Sequence, residues 1–339
     1  MIAGSISMRR LCDEHNDIDS NLTLPDSGAL GSRSSGTGVR RTIVGIGEAL
    51  WDLLPGVRHI GGAPLNFSYI SSLLGEHAVI ASRIGNDTLG AELMSEASLR
   101  AVDTRYLQHD ADLPTGTAAV TMSAVGQQAY EIRQPAAWDA LELAPEWERL
   151  AEAADAVCFG TLAQRSAKSR AAIQAFVRKT RANCVAIFDV NLRAPFYSRD
   201  VIVNSLEIAT IVKVNEAEFA EIAPMVGLPD ATTQRNLRAF ARKFGLQLVC
   251  LTRGGRGSVL ATPDHVVEHP GFKVEVKDTI GAGDAFTAAV AHCWVHRFGL
   301  EPTGVMANRW ASWVASQPGG MPLLDDEHRH QMLFARYNG

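Results

Sequence analysis

From Thr42 onward the chain alternates short, mostly apolar runs with longer stretches in which apolar residues recur every three or four positions. The runs at 42–46, 156–160, 184–190, 208–214 and 248–251 are apolar on both faces, the pattern of strands covered on two sides. Further strands are expected at 77–82 and near 105–108. Between these runs, residues 67–74, 89–101, 169–180, 285–296 and 305–316 carry helical periodicity, and helices close at Gly75 and Gly245. Strand alternating with helix predicts an α/β fold, a doubly wound and mostly parallel sheet flanked by helices, whose ligands gather beyond the carboxyl ends of the strands. Residues 117–133 differ: Thr, Val and Ala alternate around Gly126, which reads as a β-hairpin. With a short piece near 57–60 it predicts a small separate sheet, a lid built from about 55–61 and 115–134. Residues 1–40 lack apolar periodicity and end in Gly and Ser, which predicts a flexible N-terminal extension before one domain over 41–339.

Composition narrows the classes. Of 339 residues, 46% are hydrophobic and 20% charged, ordinary for a soluble globular protein. The net charge of −5 leaves no basic footprint, so a nucleic-acid partner is not expected. No apolar run approaches the ~20 residues of a membrane span. Arg9 and Arg10 are not followed by the apolar stretch of a secretory signal. Cys12, Cys158, Cys184, Cys250 and Cys293 are isolated, and three of them sit in strand-like runs. That pattern suits reduced core thiols and a cytoplasmic location. Read as holding neither a Cys-x-x-Cys nor a His-x-x-x-His pair, the chain is not expected to bind structural zinc.

Candidate chemistry lies mainly at the ends of the apolar runs. Gly45-Ile46-Gly47 suggests a dinucleotide-binding turn, but Leu50 stands where the third glycine would be, which argues against NAD. Val274 and Val276 read as an extended approach to Asp278-Thr279-Ile280-Gly281-Ala282-Gly283-Asp284, after which a buried helix begins. Glycines let the backbone turn sharply, and unpaired N–H groups at a helix start form an anion site. An acid at its edge suits a base that deprotonates a hydroxyl while the N–H groups of Gly281, Ala282 and Gly283 hold a transferring phosphoryl group. The same residues also fit an acidic N-cap after a glycine turn. Far upstream, Gly62-Ala63-Pro64-Leu65-Asn66-Phe67-Ser68 is followed by Gly75 and Gly85.

These two segments resemble, in residues and in order, the two signatures of the ribokinase-like (PfkB) carbohydrate kinases. The resemblance spans about 42–323 and is strongest to fructokinases. It implies an ATP-dependent sugar kinase with Asp284 as general base and Asp52, Gly62 and Asn66 against the sugar. Arg133 sits where related keto-sugar kinases carry a substrate arginine. Asp189-Val190-Asn191-Leu192-Arg193 resembles a segment of fructokinases and keto-deoxy-sugar kinases, with Arg193 facing substrate or phosphate. Asn215 and Glu218 match an Asn-x-x-Glu implied to hold Mg2+ through water, although alone they fit a helix capping box. Thr252, Gly254, Gly257 and Asn308 match positions along the nucleotide, where Arg309, Trp310 and Trp313 depart from the family's small residues. Asp278 and Thr279 are implied to help hold K+. Fructose is the expected substrate, 2-keto-3-deoxygluconate the nearest rival, and a non-catalytic sugar-binding regulator the reading from another class. An exposed lid edge suggests a homodimer.

Overall fold

The computed structural model describes residues 40–122, 128–325 and 332, all within a compact unit that runs from Arg40 to Gly339. The expected extension over 1–40 lies outside the described residues except for Arg40. The hairpin turn at 123–127 lies outside them too.

The apolar runs form a nine-stranded sheet. In chain order its strands are β1 (Thr42–Ile46), β4 (His77–Gly85), β5 (Leu107–Asp110), β8 (Ala156–Phe159), β9 (Val185–Asp189), β10 (Ile211–Asn215), β11 (Leu248–Thr252), β12 (Ser258–Ala261) and β13 (Val266–His269). Across the sheet the order is β13-β12-β11-β10-β9-β8-β1-β4-β5. All neighbours are parallel except at β12 and β13, which return antiparallel at one edge. Winding runs outward in both directions from β1, so the crevice between the carboxyl ends of β1 and β8 is the switch point at which such sheets bind ligands.

Helices cover both faces. On one side pack α3 (Pro145–Ala153), α4 (Ala167–Lys179), α5 (Arg199–Ile208), α6 (Glu216–Met225) and α7 (Gln234–Phe244). On the other pack α1 (Ala63–Leu73), α2 (Thr88–Leu99), α8 (Ala282–Val295) and α9 (Leu300–Ala315). Strand side chains alternate between the two cores: Val44, Val157 and Phe159 face the first, and Ile43, Ala156 and Cys158 the second. The α8 helix lies between α1 and α9 and is apolar on nearly every side, as a helix enclosed by others must be. Cys158, Cys184, Cys250 and Cys293 are buried and unpaired, as expected of core thiols.

A second, four-stranded sheet has the order β3-β2-β6-β7, with β2 (Leu50–Leu54), β3 (Val57–Gly61), β6 (Gly116–Met122) and β7 (Gln128–Ile132). Residues 41–54 therefore divide between the two sheets. The backbone leaves β1 at Gly47, whose φ is 145°, and Leu50 opens a strand of the other sheet. Three further boundaries differ. The approach through Val274 and Val276 is not a strand, and both side chains are exposed. Helix α8 begins at Ala282 rather than 285, so Asp284 lies inside its first turn. Helix α9 begins at Leu300 rather than 305, because Pro302 falls in the first turn, where its missing N–H breaks no bond.

Candidate active site

The carboxyl ends of β1, β8, β9 and β10, the start of α8 and the underside of the second sheet enclose a cavity of about 380 Å3. Glu48 enters it from the turn after β1 and Asp52 from β2. Asn66 comes from the first turn of α1, and Asn191 and Arg193 from the loop after β9. Lys213 and Asn215 come from β10, and Gly281, Gly283 and Asp284 from the glycine turn. Residues far apart in the chain thus converge on one space.

At the turn, Gly281 caps α8 with φ of 75°, a left-handed conformation natural to glycine. A β-carbon there would stand 2.5 Å from the Gly320 Cα, so the turn can lie against that backbone only without a side chain. Asp278 fastens the turn at both ends: Oδ1 accepts from the Ile280 N–H (3.0 Å) and Oδ2 from the Gly319 N–H (3.2 Å). The Ala282 N–H reaches back to the Thr279 carbonyl at 3.3 Å. The Gly283 and Asp284 N–H groups belong to the helix start, where no preceding turn supplies an acceptor. Gly281 holds the cap position, and the acid stands three residues inside it.

Asp284 Oδ2 accepts a hydrogen bond from Asn66 Nδ2 at 2.8 Å, which joins the two distant glycine segments. Burial pushes its carboxyl up to about 6, and the charge of Asp189 acts in the same direction, while the Asn66 bond opposes them. Two more acids share the cavity. Burial, with Asp284 nearby, raises Glu48 to about 7 and Asp52 to about 7. The Arg193 guanidinium pulls all three down. Glu48 Oε2 and Asn66 Oδ1 are buried with no protein partner, and both residues line the cavity. Asp52 fits its strand because Gly61 lies beside it; a β-carbon on Gly61 would come within 2.3 Å of Asp52 Oδ2. Asn191 holds φ of +37°, the left-handed region an asparagine tolerates.

Lys213 and Glu48 carry no role in the sequence reading. The Lys213 ammonium is buried, lies 2.9 Å from Asp189 Oδ1, and would be 2.9 Å from a β-carbon on Gly283. Asp189 Oδ2 also accepts from Thr287 Oγ1 at 2.9 Å, so β9, β10 and α8 are tied together through charge. Burial alone would lower the lysine, but Asp189, Glu218 and Asp284 hold it protonated. A signal existed: lysine inside the apolar run Ile211–Asn215 must find a buried anion.

Asn215 and Glu218 form the capping box of α6, with Asn215 Oδ1 on the Glu218 N–H and Glu218 Oε2 on the Asn215 N–H, both 2.8 Å. Glu218 Oε1 also accepts from the Leu192 N–H at 3.2 Å. Both residues still line the cavity. Their all-oxygen donor set fits a magnesium ion held through its own waters, since the carboxylate is already engaged by backbone.

Other predicted residues fall elsewhere. Gly62 lines the cavity as the α1 N-cap, with φ of 101°. Arg133 follows β7 and is exposed, outside the residues that line the cavity. Thr252 pairs beside Asn215 at the end of β11, and Gly254 and Gly257 form the turn into β12. Asn308 is buried and donates Nδ2 to Ser258 Oγ and to the Gly304 carbonyl, both 2.7 Å, so it locks α9 to β12. None of these four lines the cavity.

The chain is similar to known proteins in sequence and in fold. Residues 56–327 match the model described as pfkB family carbohydrate kinase. The chain is 30% identical over 265 residues to a sugar kinase of Pyrococcus horikoshii, across 73% of this chain and 81% of that one. The crystal structure of that protein, described as an uncharacterized sugar kinase, matches with a TM-score of 0.70 at 27% identity, over 83% and 93% of the two chains. Aminoimidazole riboside kinase of Salmonella typhimurium is 26% identical over 304 residues, covering 82% and 90%. Fructokinase-1 of Zea mays is 27% identical over 318 residues, covering 85% and 96%.

Proposed function

The chain belongs to the pfkB family of carbohydrate kinases, and on that premise we propose that it transfers the γ-phosphoryl group of ATP to a primary hydroxyl of fructose. One observation carries the mechanism: the half-buried Asn66–Asp284 hydrogen bond beside the glycine turn, in the cavity shared with Glu48 and Asp52. Asp284 takes the hydroxyl proton. Asn66 fixes the carboxylate's direction, so its other oxygen is left for the substrate. N–H groups of the Gly281–Gly283 turn and the positive end of α8 receive the charge building on the moving phosphoryl group. Lys213 adds a fixed charge behind that turn. Positioning and charge stabilisation of this kind are most of what phosphoryl transfer needs.

Asp52, Asn66 and Gly62 are proposed to hold the sugar, with Glu48 adding a further polar contact. ATP is supported by the Pyrococcus horikoshii relative, also solved in complex with ATP. Thr252, Gly254, Gly257 and Asn308 are assigned to the nucleotide side. Magnesium near Asn215 and Glu218 would neutralise phosphate charge, and those two residues would hold its water shell. A potassium ion near Asp278 would add positive charge behind the anion turn.

Fructose is preferred because relatives named fructokinase align over nearly their whole length. A carboxylated keto-deoxy sugar is the second reading, favoured by Arg193 in the cavity. A coupled ADP-release assay with fructose, 2-keto-3-deoxygluconate, ribose, adenosine and aminoimidazole riboside decides among them. Turnover fastest on fructose is expected. Turnover confined to another sugar or to a nucleoside overturns the substrate assignment, and no ADP release on any of them overturns the mechanism.

A further inference from the structure

Among the described residues, one group of metal-ligating side chains converges away from the cavity: Glu76, His292 and His296. The sequence reading expected no structural zinc site, counting neither a Cys-x-x-Cys nor a His-x-x-x-His pair. It passed over two histidines four residues apart, which share one helix face. His292 Nδ1 lies 2.6 Å and His296 Nε2 2.7 Å from the same Glu76 oxygen, Oε1. The three ligand atoms all fall within 4.8 Å of one another, and the two rings have centroids 4.7 Å apart.

The arrangement is held from several directions. Glu76 Oε2 accepts from the Arg41 N–H at 2.8 Å, which aims Oε1 at the imidazoles. Arg40 Nη2 donates to the Glu76 carbonyl at 2.9 Å, fixing the backbone behind it. Phe298 packs edge-on against His292 with centroids 5.9 Å apart. The Glu76 side chain is 3% exposed, whereas His292 and His296 are 14% and 27% exposed. An ion arriving from solvent therefore meets imidazole first and a buried carboxylate behind it. The pair also sits at the carboxyl end of α8, the negative end of its dipole.

We propose that Glu76, His292 and His296 form a binding site for one divalent cation of the zinc class. Two imidazole nitrogens and one carboxylate oxygen suit zinc and its late first-row neighbours, whereas magnesium and calcium prefer oxygen alone. Three protein ligands leave one position for water. Binding the ion requires that the nitrogen of each ring facing Oε1 carry no hydrogen, which leaves the ring N–H on the far nitrogen. The ion clamps the far end of α8 to the start of β4 and, through Arg41, to the approach to β1. It lies ~12–18 Å along the helix from Asp284, by the rise of the residues between them, so its effect is on stability rather than on the phosphoryl group.

The full chain, without a purification tag, is dialysed against Zn2+ and the metal counted, beside His296→Gln and His292→Gln variants. One zinc more per wild-type chain than per variant chain is expected, unchanged by excess Mg2+. Zinc also raises the wild-type melting temperature and leaves that of the variants unmoved. Co2+ added to the wild-type chain alone produces the visible absorption of a low-coordinate nitrogen–oxygen site, a readout that does not depend on the variants folding. Equal zinc content in all three chains, or a Co2+ spectrum like that of the aqueous ion, overturns the proposal and leaves the cluster a hydrogen-bonded strut.

Discussion

At the scale of single residues, the cavity is a contest between burial and charge over three carboxyl groups. Asp284 can act as a base only when ionised, and with its carboxyl raised to about 6 the rate should climb as pH rises through that region and then level. Because Glu48 and Asp52 titrate nearby and interact with it, the limb belongs to the group rather than to one acid; a pH profile of kcat tests it, and a rate that fell on leaving acid would contradict it. Replacing Asp284 by Ala should lower kcat by roughly 10²–10⁴-fold, the share of a general base, with an unchanged circular dichroism spectrum. Glu48 works against the fold. Its folded value of about 7 exceeds the ordinary 4.5, so the native state holds that proton more tightly than the unfolded chain. The stability this lends is complete at acid pH and lost as pH rises through about 7. Glu48→Gln should therefore gain on the wild type by roughly 1–3 kcal/mol on the alkaline side and little on the acid side, read by denaturant unfolding at both.

Elements place these groups. The anion turn depends on Gly281 lying against Gly320, and on α8 starting three residues earlier than its apolar pattern suggested. Apolar periodicity sees a helix only once its side chains face the core, and the small residues of the first turn do not announce themselves. Gly281→Ala forces a side chain into both a left-handed φ and a backbone contact, at a cost of about 1–3 kcal/mol. A lower melting temperature should accompany a fall in kcat larger than any change in sugar KM; intact kcat with lowered stability would sever the turn from the chemistry. The Asn215–Glu218 spacing was ambiguous in the sequence between cap and metal ligand. The structure has it capping α6 while facing the cavity, because the end of a parallel strand is also the start of a helix.

On the scale of the whole molecule, the cavity lies between two sheets. Asp52 belongs to the smaller sheet and Asp284 to the larger body, so the proposed mechanism divides sugar recognition and phosphoryl chemistry between the two. Asp52→Asn should accordingly raise KM for the sugar by roughly 10–100-fold, the worth of a charged hydrogen bond, and leave KM for ATP near its original value. A matched rise in both would place Asp52 outside the sugar site. The sequence alone determined the parallel α/β class, the separate small sheet and both glycine segments, because hydrophobic period and glycine spacing are local properties of the chain. It could not tell that residues 41–54 split between two sheets, or that Lys213 meets Asp189 and two histidines meet Glu76. Those outcomes depend on which side chains the winding of the sheet brings together, and a buried charge or an unpaired acceptor has a meaning only once its neighbours across the fold are known.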